Sequence, residues 1–223
     1  ALVERALDLR LPVAPTYGLT EAASQVTTLR PADARARPGS SGQPLPATEV
    51  RIEADGRLAP TGEIGEIAIR GQTLFRGYLH QTSSSLDADG WFRTGDLGRI
   101  GADGHLFVLD RRDDLIVSGG ENVYPAEIEA ALLRHPDLVE ATVVAMPDDR
   151  WGAVPAAFVV ARRGSAPRVD DLIHFCRSQL ATYKCPRRIM LVDSLPRTAS
   201  GKLRRRTLRD RLRSGIAAVD HLA

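Results

Sequence analysis

Residues 110–129 (DRRDDLIVSGGENVYPAEIE) constrain the fold of this chain more than any other stretch. A charged turn leads into a short apolar strand, a Gly-Gly loop and a helix opened by proline. Gly119 and Gly120 allow positive φ and a close approach of main chain to a ligand. Tyr124 and Pro125 then begin a helix whose first turn carries Glu127 and Glu129, in keeping with proline at an early helical position and with acidic residues at the positive end of the helix dipole. Taken alone, the segment fits equally a hairpin that merely leads into a helix, because Gly-rich turns punctuate many folds.

The chain changes character near this segment. Before about residue 112 it reads as β-rich: residues 49–53 (EVRIE), 66–70 (EIAIR) and 105–109 (HLFVL) have alternating or compact apolar patterns, with turn dipeptides at Asp55-Gly56, Asp89-Gly90 and Asp103-Gly104. A small barrel or a cluster of sheets is expected there. Beyond Asp113 the pattern is mixed α/β: a helix over 124–135, strands over 139–145 and 156–161, and a helix whose face is Val169, Leu172, Ile173, Cys176 and Leu180. A strand over 188–192 and a basic helix over 203–212 complete the reading. The domain division expected is 1–112 and 113–223.

Composition bounds the function classes. With 43% hydrophobic and 26% charged residues, 223 residues supply the core of one or two ordinary domains. The longest apolar run, 154–161, is broken by Pro155 and far too short to span a bilayer, and the first residues lack a secretory pattern, so a cytoplasmic protein without membrane insertion is expected. Cys176 and Cys185 have no metal-like spacing, which predicts reduced thiols and no structural metal. The formal charge of +2 hides an asymmetry, since residues 197–213 carry eight cations against Asp210 alone. Such a segment fits a solvated helix face or a phosphate-attracting edge; nucleic acid is not expected, because no binding module or aromatic interleaving accompanies the charge. Only Lys184 and Lys202 are lysines; the other 28 of the 30 basic residues are arginine. A lysine kept in such a chain points to a place where a compact charge is needed and a planar fork does not serve.

Four further motifs accompany residues 110–129, in order: Tyr17–Glu21 (YGLTE), Gly65–Gly71 (GEIAIRG), Trp91–Leu97 (WFRTGDL) and Pro196–Lys202 (PRTASGK). Five motifs in sequence resemble the later part of the adenylate-forming superfamily, which contains acyl- and aryl-CoA ligases, luciferases and the adenylation domains of peptide synthetases. Residues 17–29 (YGLTEAASQVTTL), 39–45 (GSSGQPL), 109–129 and 180–186 (LATYKCP) are most similar to the o-succinylbenzoate-CoA ligases of menaquinone synthesis. The resemblance covers nearly the whole chain. It implies an α/β fold in which residues 1–112 form the β-rich, barrel-like end of a large ligase domain and residues 113–223 a small mobile α/β domain.

The resemblance also implies a reaction and its residues. A carboxylate attacks the α-phosphate of ATP to give an acyl-adenylate, and the thiol of coenzyme A then displaces AMP. Lys202 would supply charge where phosphate and carboxylate meet, with Gly18 in the nucleotide motif and Thr20 bonding the α-phosphate. Glu21 would help hold Mg²⁺, a hard ion suited to carboxylate and phosphate oxygens. Tyr17 would stack on adenine, Asp96 would accept both ribose hydroxyls, and Arg111 would add a donor nearby. Asp113 occupies the hinge position. Gly119 and Gly120 would line the pantetheine tunnel, with Trp151 also near coenzyme A, and Ser24, Gln25, Thr27 and Thr28 would lie near the acyl group. Structural uses stand beside these: Thr20 and Glu21 also suit a helix cap, Tyr17 and Trp151 a core, Asp96 a turn beside Gly95. For Glu66 the organising of a sheet is the expected role.

The Ser/Thr/Gly-rich phosphate loop and most of the acyl pocket of that superfamily precede the Tyr-Gly-x-Thr-Glu motif. Neither is found in these residues, so a C-terminal fragment, inactive alone and partnered by the N-terminal part of its own polypeptide, is expected. A homodimer remains open. A carrier-protein-loading adenylation domain, a ligase for another acid, and a basic interaction module on a retired ligase fold are the competing readings; retention of Asp96, Arg111, Gly119, Gly120 and Lys202 argues against the last.

Overall fold

A computed structural model describes residues 2–80 and 84–214, and the chain divides between Asp113 and Asp114 into two compact units. The first begins with a short helix, α1 (Leu2–Asp8), followed by an antiparallel sheet of β1 (Thr16–Leu19), β2 (Ser24–Thr28) and β3 (Gln43–Pro44). Five more strands follow: β4 (Thr48–Ala54), β5 (Arg57–Leu58), β6 (Gly65–Gly71), β7 (Phe92–Ile100) and β8 (Leu106–Arg111), in the order β5-β4-β6-β7-β8. Of the barrel and the sheet cluster expected, the structure has the cluster, with both sheets open. Asp55-Gly56 and Asp103-Gly104 make the expected tight turns, with Gly56 at φ 76° and Gly104 at φ 76°.

Alternation along the strands gives this unit its core. Ile52 pairs with Ile67 across β4 and β6, and these join Tyr17, Val26, Ile69, Phe92 and Leu106 in one apolar cluster. Just before β7, Trp91, only 7% exposed, is stacked by two guanidinium groups, Arg51 at 4.0 Å and Arg70 at 4.7 Å from the ring centre. Each arginine is itself paired, Arg51 with Glu53 and Arg70 with Glu49.

The second unit is a five-stranded sheet with helices on both faces. Its elements are β9 (Ile116–Ser118), β10 (Glu121–Val123), α2 (Pro125–Leu132), β11 (Leu138–Asp148), β12 (Gly152–Ala161), α3 (Val169–Gln179), β13 (Arg188–Leu191) and α4 (Arg205–Arg213). The strand order is β10-β9-β12-β11, with β13 parallel to β12 on its other flank. Successive residues point to opposite faces. Val143, Ala157 and Val159 therefore pack with Ile128 and Leu132 of α2 and Leu172 and Cys176 of α3, while Val144, Ala156 and Phe158 pack with Leu208 of α4.

The strand expected over 156–161 begins earlier, at Gly152, and runs through Pro155 without a break. Pairing with β13 begins only at Ala156, so the proline sits where that parallel ladder has not yet started. Helix α2 stops at Leu132, short of His135; a turn follows in which His135 N–H donates to the Leu132 carbonyl. Cys176 and Cys185 are free and buried. Among the described residues no helix is long and apolar enough to cross a membrane, and no cluster of three metal-ligating side chains occurs.

Candidate functional site

In the first unit, a β-bulge creates the site. Glu66 pairs with Leu97 but Ala68 already pairs with Arg93, so β7 carries extra residues between Arg93 and Leu97, and Gly95 takes φ 74° to permit it. Three bonds fix the bulge. Thr94 Oγ1 donates to the Ile67 carbonyl at 2.9 Å and accepts the Asp96 N–H at 3.1 Å, while Gly95 N–H donates to Glu66 Oε1 at 3.1 Å. The other oxygen of Glu66 accepts Arg112 at 2.9 Å, which gives Glu66 the organising part expected of it.

The bulge aims Asp96 at two partners. The Tyr17 hydroxyl donates to Asp96 Oδ2 at 2.7 Å, and Arg111, opposite Asp96 across β7 and β8, brings its Nε within 3.2 Å of Oδ1. Asp96 is buried, whereas the Arg111 side chain is 71% exposed. A ligand that approached from the arginine side would meet a carboxylate already oriented and a guanidinium with donors to spare. Burial, opposed by the Thr94 hydroxyl and reinforced by Asp96, pushes the Tyr17 phenol well above the usual tyrosine range, so it stays a donor.

Gly18 cannot be another residue. A Cβ there would lie 1.6 Å from the Ser24 carbonyl oxygen, because β1 and β2 cross closely at a bulge. A single 3-10 turn over Thr20–Ala22 follows, closed by Ala23 N–H to the Thr20 carbonyl at 3.1 Å, and Ala23 and Ser24 then adopt φ 53° and 120°. Two successive non-glycine residues at positive φ mark a strained turn. It presents the exposed Thr20 and the half-buried Glu21 side by side. The Tyr78 hydroxyl donates to Glu21 Oε1 at 2.7 Å, and Phe75 N–H donates to the Glu21 carbonyl at 2.8 Å. One loop thus holds Glu21 by side chain and backbone, itself anchored by Phe75 packing edge-on to Phe92 at 5.2 Å. A carboxylate presented in this way would suit Mg²⁺, a hard ion that takes oxygen ligands.

The four polar residues of β2 do not share one environment. Ser24 and Gln25 are exposed and Thr28 is half-buried, but Thr27 is fully buried and its hydroxyl donates to the Ser41 carbonyl at 2.8 Å.

In the second unit, Gly119 and Gly120 form the turn of the β9–β10 hairpin, at φ 59° and 89°. Gly119 N–H donates to the Trp151 carbonyl at 3.0 Å, and a Cβ on Gly119 would lie 2.6 Å from the Trp151 ring. The indole is 37% exposed, with the Arg150 guanidinium 4.7 Å from its centre. Lys202 stands on a separate hairpin. Thr198 N–H donates to the Lys202 carbonyl at 2.8 Å, Lys202 N–H donates to Thr198 Oγ1 at 3.1 Å, and Arg197 bonds both the Gly201 carbonyl and Glu140. The Lys202 side chain is exposed and forms no ion pair among the described residues, whereas Lys184 is held by both oxygens of Glu127 at 2.8 Å.

The structure therefore gathers Tyr17, Asp96 and Arg111 into one cluster, sets Thr20 and Glu21 on the turn after β1 with Gly18 inside that strand, and joins Gly119 to Trp151. Tyr78, Thr94 and Glu66 support these residues. Thr94 and Glu66 lie inside motifs legible in the sequence; Tyr78 sits 57 residues from Glu21 and carries no local signal of the contact.

Comparison with known proteins places both units among AMP-binding enzymes. Residues 1–79 match the AMP-binding enzyme family and residues 127–202 the AMP-binding enzyme C-terminal domain. The chain is 51% identical over 201 residues, 89% of its length, to the 2-succinylbenzoate–CoA ligase of a Geobacillus species, and 48% identical over 93% of its length to that of Bacillus licheniformis. It spans 41% and 44% of those relatives, less than half of each. Among solved structures it is similar to the Bacillus subtilis o-succinylbenzoate CoA synthetase in complex with the acyl-adenylate intermediate OSB-AMP (TM-score 0.87, 42% identity, 94% of this chain and 43% of that one). It is also similar to the anthranilate CoA ligase AuaEII in complex with anthranoyl-AMP (TM-score 0.84, 33% identity, 93% and 41%).

Proposed function

This chain belongs to the adenylate-forming, AMP-binding enzyme family, and from that premise we propose that the whole protein is an AMP-forming ligase joining an aryl carboxylate, 2-succinylbenzoate, to coenzyme A. The observation that carries the reading is the buried Asp96 carboxylate, turned out of β7 by a bulge and held by Tyr17 and Arg111. A carboxylate is acceptor-only, so it suits a vicinal diol that has two hydroxyls to donate. In this reading it grips the ribose of ATP, Arg111 donates beside it, and Tyr17 orients Asp96 while its ring walls the adenine. Thr20 donates to the α-phosphate from the strained turn that Gly18 makes possible.

A substrate carboxylate oxygen attacks the α-phosphorus, the bond to the bridging oxygen of the β-phosphate breaks, and pyrophosphate leaves. Negative charge concentrates between the two reacting groups. Lys202 supplies a compact cation there, and no carboxylate among the described residues engages it. Glu21 is the residue that would hold Mg²⁺, which when bound neutralises phosphate charge. Ser24, Gln25 and Thr28 flank the acyl group, and Thr27 positions β2 behind them.

In the second half-reaction the thiol of coenzyme A, having lost its proton, attacks the acyl carbon and AMP departs with the electrons of the mixed-anhydride bond. Torsional change at Asp113, where the two units divide, exchanges one half-reaction for the other. The Gly119-Gly120 turn lines the path of the thiol arm, with Trp151 packed behind Gly119. We place the reaction in the cytoplasm, beside its nucleotide substrates.

The substrate assignment rests on the relatives' specificity. It is tested by supplying the whole protein with ATP, Mg²⁺ and a panel of aryl acids, with and without coenzyme A, and measuring AMP release. 2-Succinylbenzoate should be turned over fastest, and only with coenzyme A to completion. Release of AMP with none of the acids would overturn the ligase reading, and transfer to a carrier protein in preference to coenzyme A would replace the acceptor.

A further inference from the structure

We infer that Arg205 is a positioning residue for Lys202, holding the lysine hairpin to the first residue of the second unit so that the two turn together. The inference deepens the proposed role of Lys202 in adenylate formation and rests on it.

Arg205 opens α4, three residues after Lys202, and it is the only one of the successive arginines 204–206 that is not exposed. Its guanidinium reaches three separate elements. Nη1 donates to Glu129 Oε1 at 2.5 Å, to Thr142 Oγ1 at 2.6 Å and to the Val143 carbonyl at 3.1 Å; Nη2 donates to Glu129 Oε2 at 3.2 Å; Nε lies 3.4 Å from Asp114 Oδ2. Glu129 is satisfied in turn by Val143 N–H at 2.8 Å and the Thr142 hydroxyl at 3.2 Å, and Arg209, one turn along α4, meets Asp114 Oδ1 at 3.0 Å. The carboxylates of Asp114 and Glu129 and the Arg205 guanidinium are each less than a fifth exposed. The planar fork is used on both edges, which an ammonium cannot reproduce.

The same network fixes the base of the lysine hairpin. Arg204 N–H donates to the Pro196 carbonyl at 2.8 Å, so the two legs of the hairpin meet one residue before Arg205. Arg197 ties the other leg to Glu140 of β11, the strand that also carries Thr142. Asp114 lies next to Asp113, the proposed pivot. A rotation there moves Asp114, and through Arg205 and Arg209 it moves α4 and the lysine hairpin without slack. Without Arg205, the hairpin keeps its own turn bonds and the Arg197–Glu140 tie but loses its link through α4 to Asp114 and Glu129, and with it the exact placement of Lys202.

The test separates placement from folding. In the whole protein, single-turnover rates are measured for adenylate formation and for thioester formation from pre-made acyl-adenylate, with thermal melting to establish that each variant is folded. Arg205→Met should slow adenylate formation roughly tenfold to a hundredfold, the scale of a misplacement of about 1 Å in a catalytic group, with far less effect on the thioester step. Arg205→Lys should fall between it and the parent. Should Arg205→Met fail to fold, Asp114→Asn keeps the shape while withdrawing a charge from both arginines, and should give the same split at smaller size. With Lys202→Ala impaired in adenylation as a control, equal loss in both steps, or no loss in either, would overturn this inference alone; normal adenylation by Lys202→Ala would remove its premise as well.

Discussion

Asp96 in the first unit is buried, accepts from Tyr17, pairs with Arg111 and sits on a bulge that three further hydrogen bonds pin in place; Lys202 in the second stands exposed on one leg of a hairpin with no ion partner among the described residues. The two groups carry opposite charges and opposite construction. A group that grips the same ligand through every step gains from being fixed in advance, because reorganisation then costs nothing on binding. A group needed in one step only is better left without an internal ion partner, its precision coming from the backbone that carries it.

The contrast is sharpest at Lys202 itself. Lys202→Ala in the whole protein should reduce adenylate formation by about two or more orders of magnitude, the scale of removing one preorganised electrostatic group, while pre-made acyl-adenylate is still converted to thioester. Single-turnover measurement of each step decides it, and normal adenylation would break the comparison. Asp96→Ala should instead weaken AMP binding at equilibrium, by roughly tenfold to a hundredfold, as expected for hydrogen bonds to a charged acceptor worth about 1.5–3 kcal/mol. Calorimetric titration reads it directly. If Asp96→Ala left affinity unchanged, the fixed cluster would be a strut and no ligand site.

Smaller effects sharpen the picture. Gly119→Ala forces a Cβ into the Trp151 ring at positive φ and should destabilise the second unit by about 1–3 kcal/mol, visible as a lower melting temperature. Tyr17→Phe removes only the hydroxyl that orients Asp96, and should weaken AMP roughly fivefold, equivalent to about 1 kcal/mol. Tyr17 also gives a pH test. Its folded pKa is raised above the ordinary tyrosine value of about 10, so its contribution to stability is complete below that pH and declines as the pH rises beyond it, when the unfolded chain ionises first. Alkaline unfolding of the parent should therefore be steeper than that of Tyr17→Phe.

How much of this was legible follows from how local each signal is. The Gly-Gly hairpin, the proline-opened α2 and the apolar face of α3 depend on neighbours within a few residues, and all three appear near where the sequence places them, although α2 ends at Leu132, short of His135. Strand β7 is different: Thr94, Gly95, Asp96 and Gly98 break any apolar alternation, because a bulge that serves a site needs a turn-forming glycine and polar side chains in mid-strand. The short helix α1 has no buried residue. Arg204, Arg205 and Arg206 are indistinguishable as letters, and only the tertiary fold selects the middle one for a buried network. The Tyr78–Glu21 bond, likewise, is made by chain folding and not by spacing.

The paired arginines around Trp91 have an optical consequence. The chain has two tryptophans, one in each unit: Trp91, buried beneath two guanidinium groups, and Trp151, partly open beside the Gly119 turn. An enclosed indole is shielded from a dissolved quencher such as acrylamide, and a half-open one is not. Fluorescence from this single chain therefore divides into a shielded fraction that reports the integrity of the first unit and a quenchable fraction that reports on the turn in the second, so that loss of structure in one unit can be followed while the other stays folded, with no label attached.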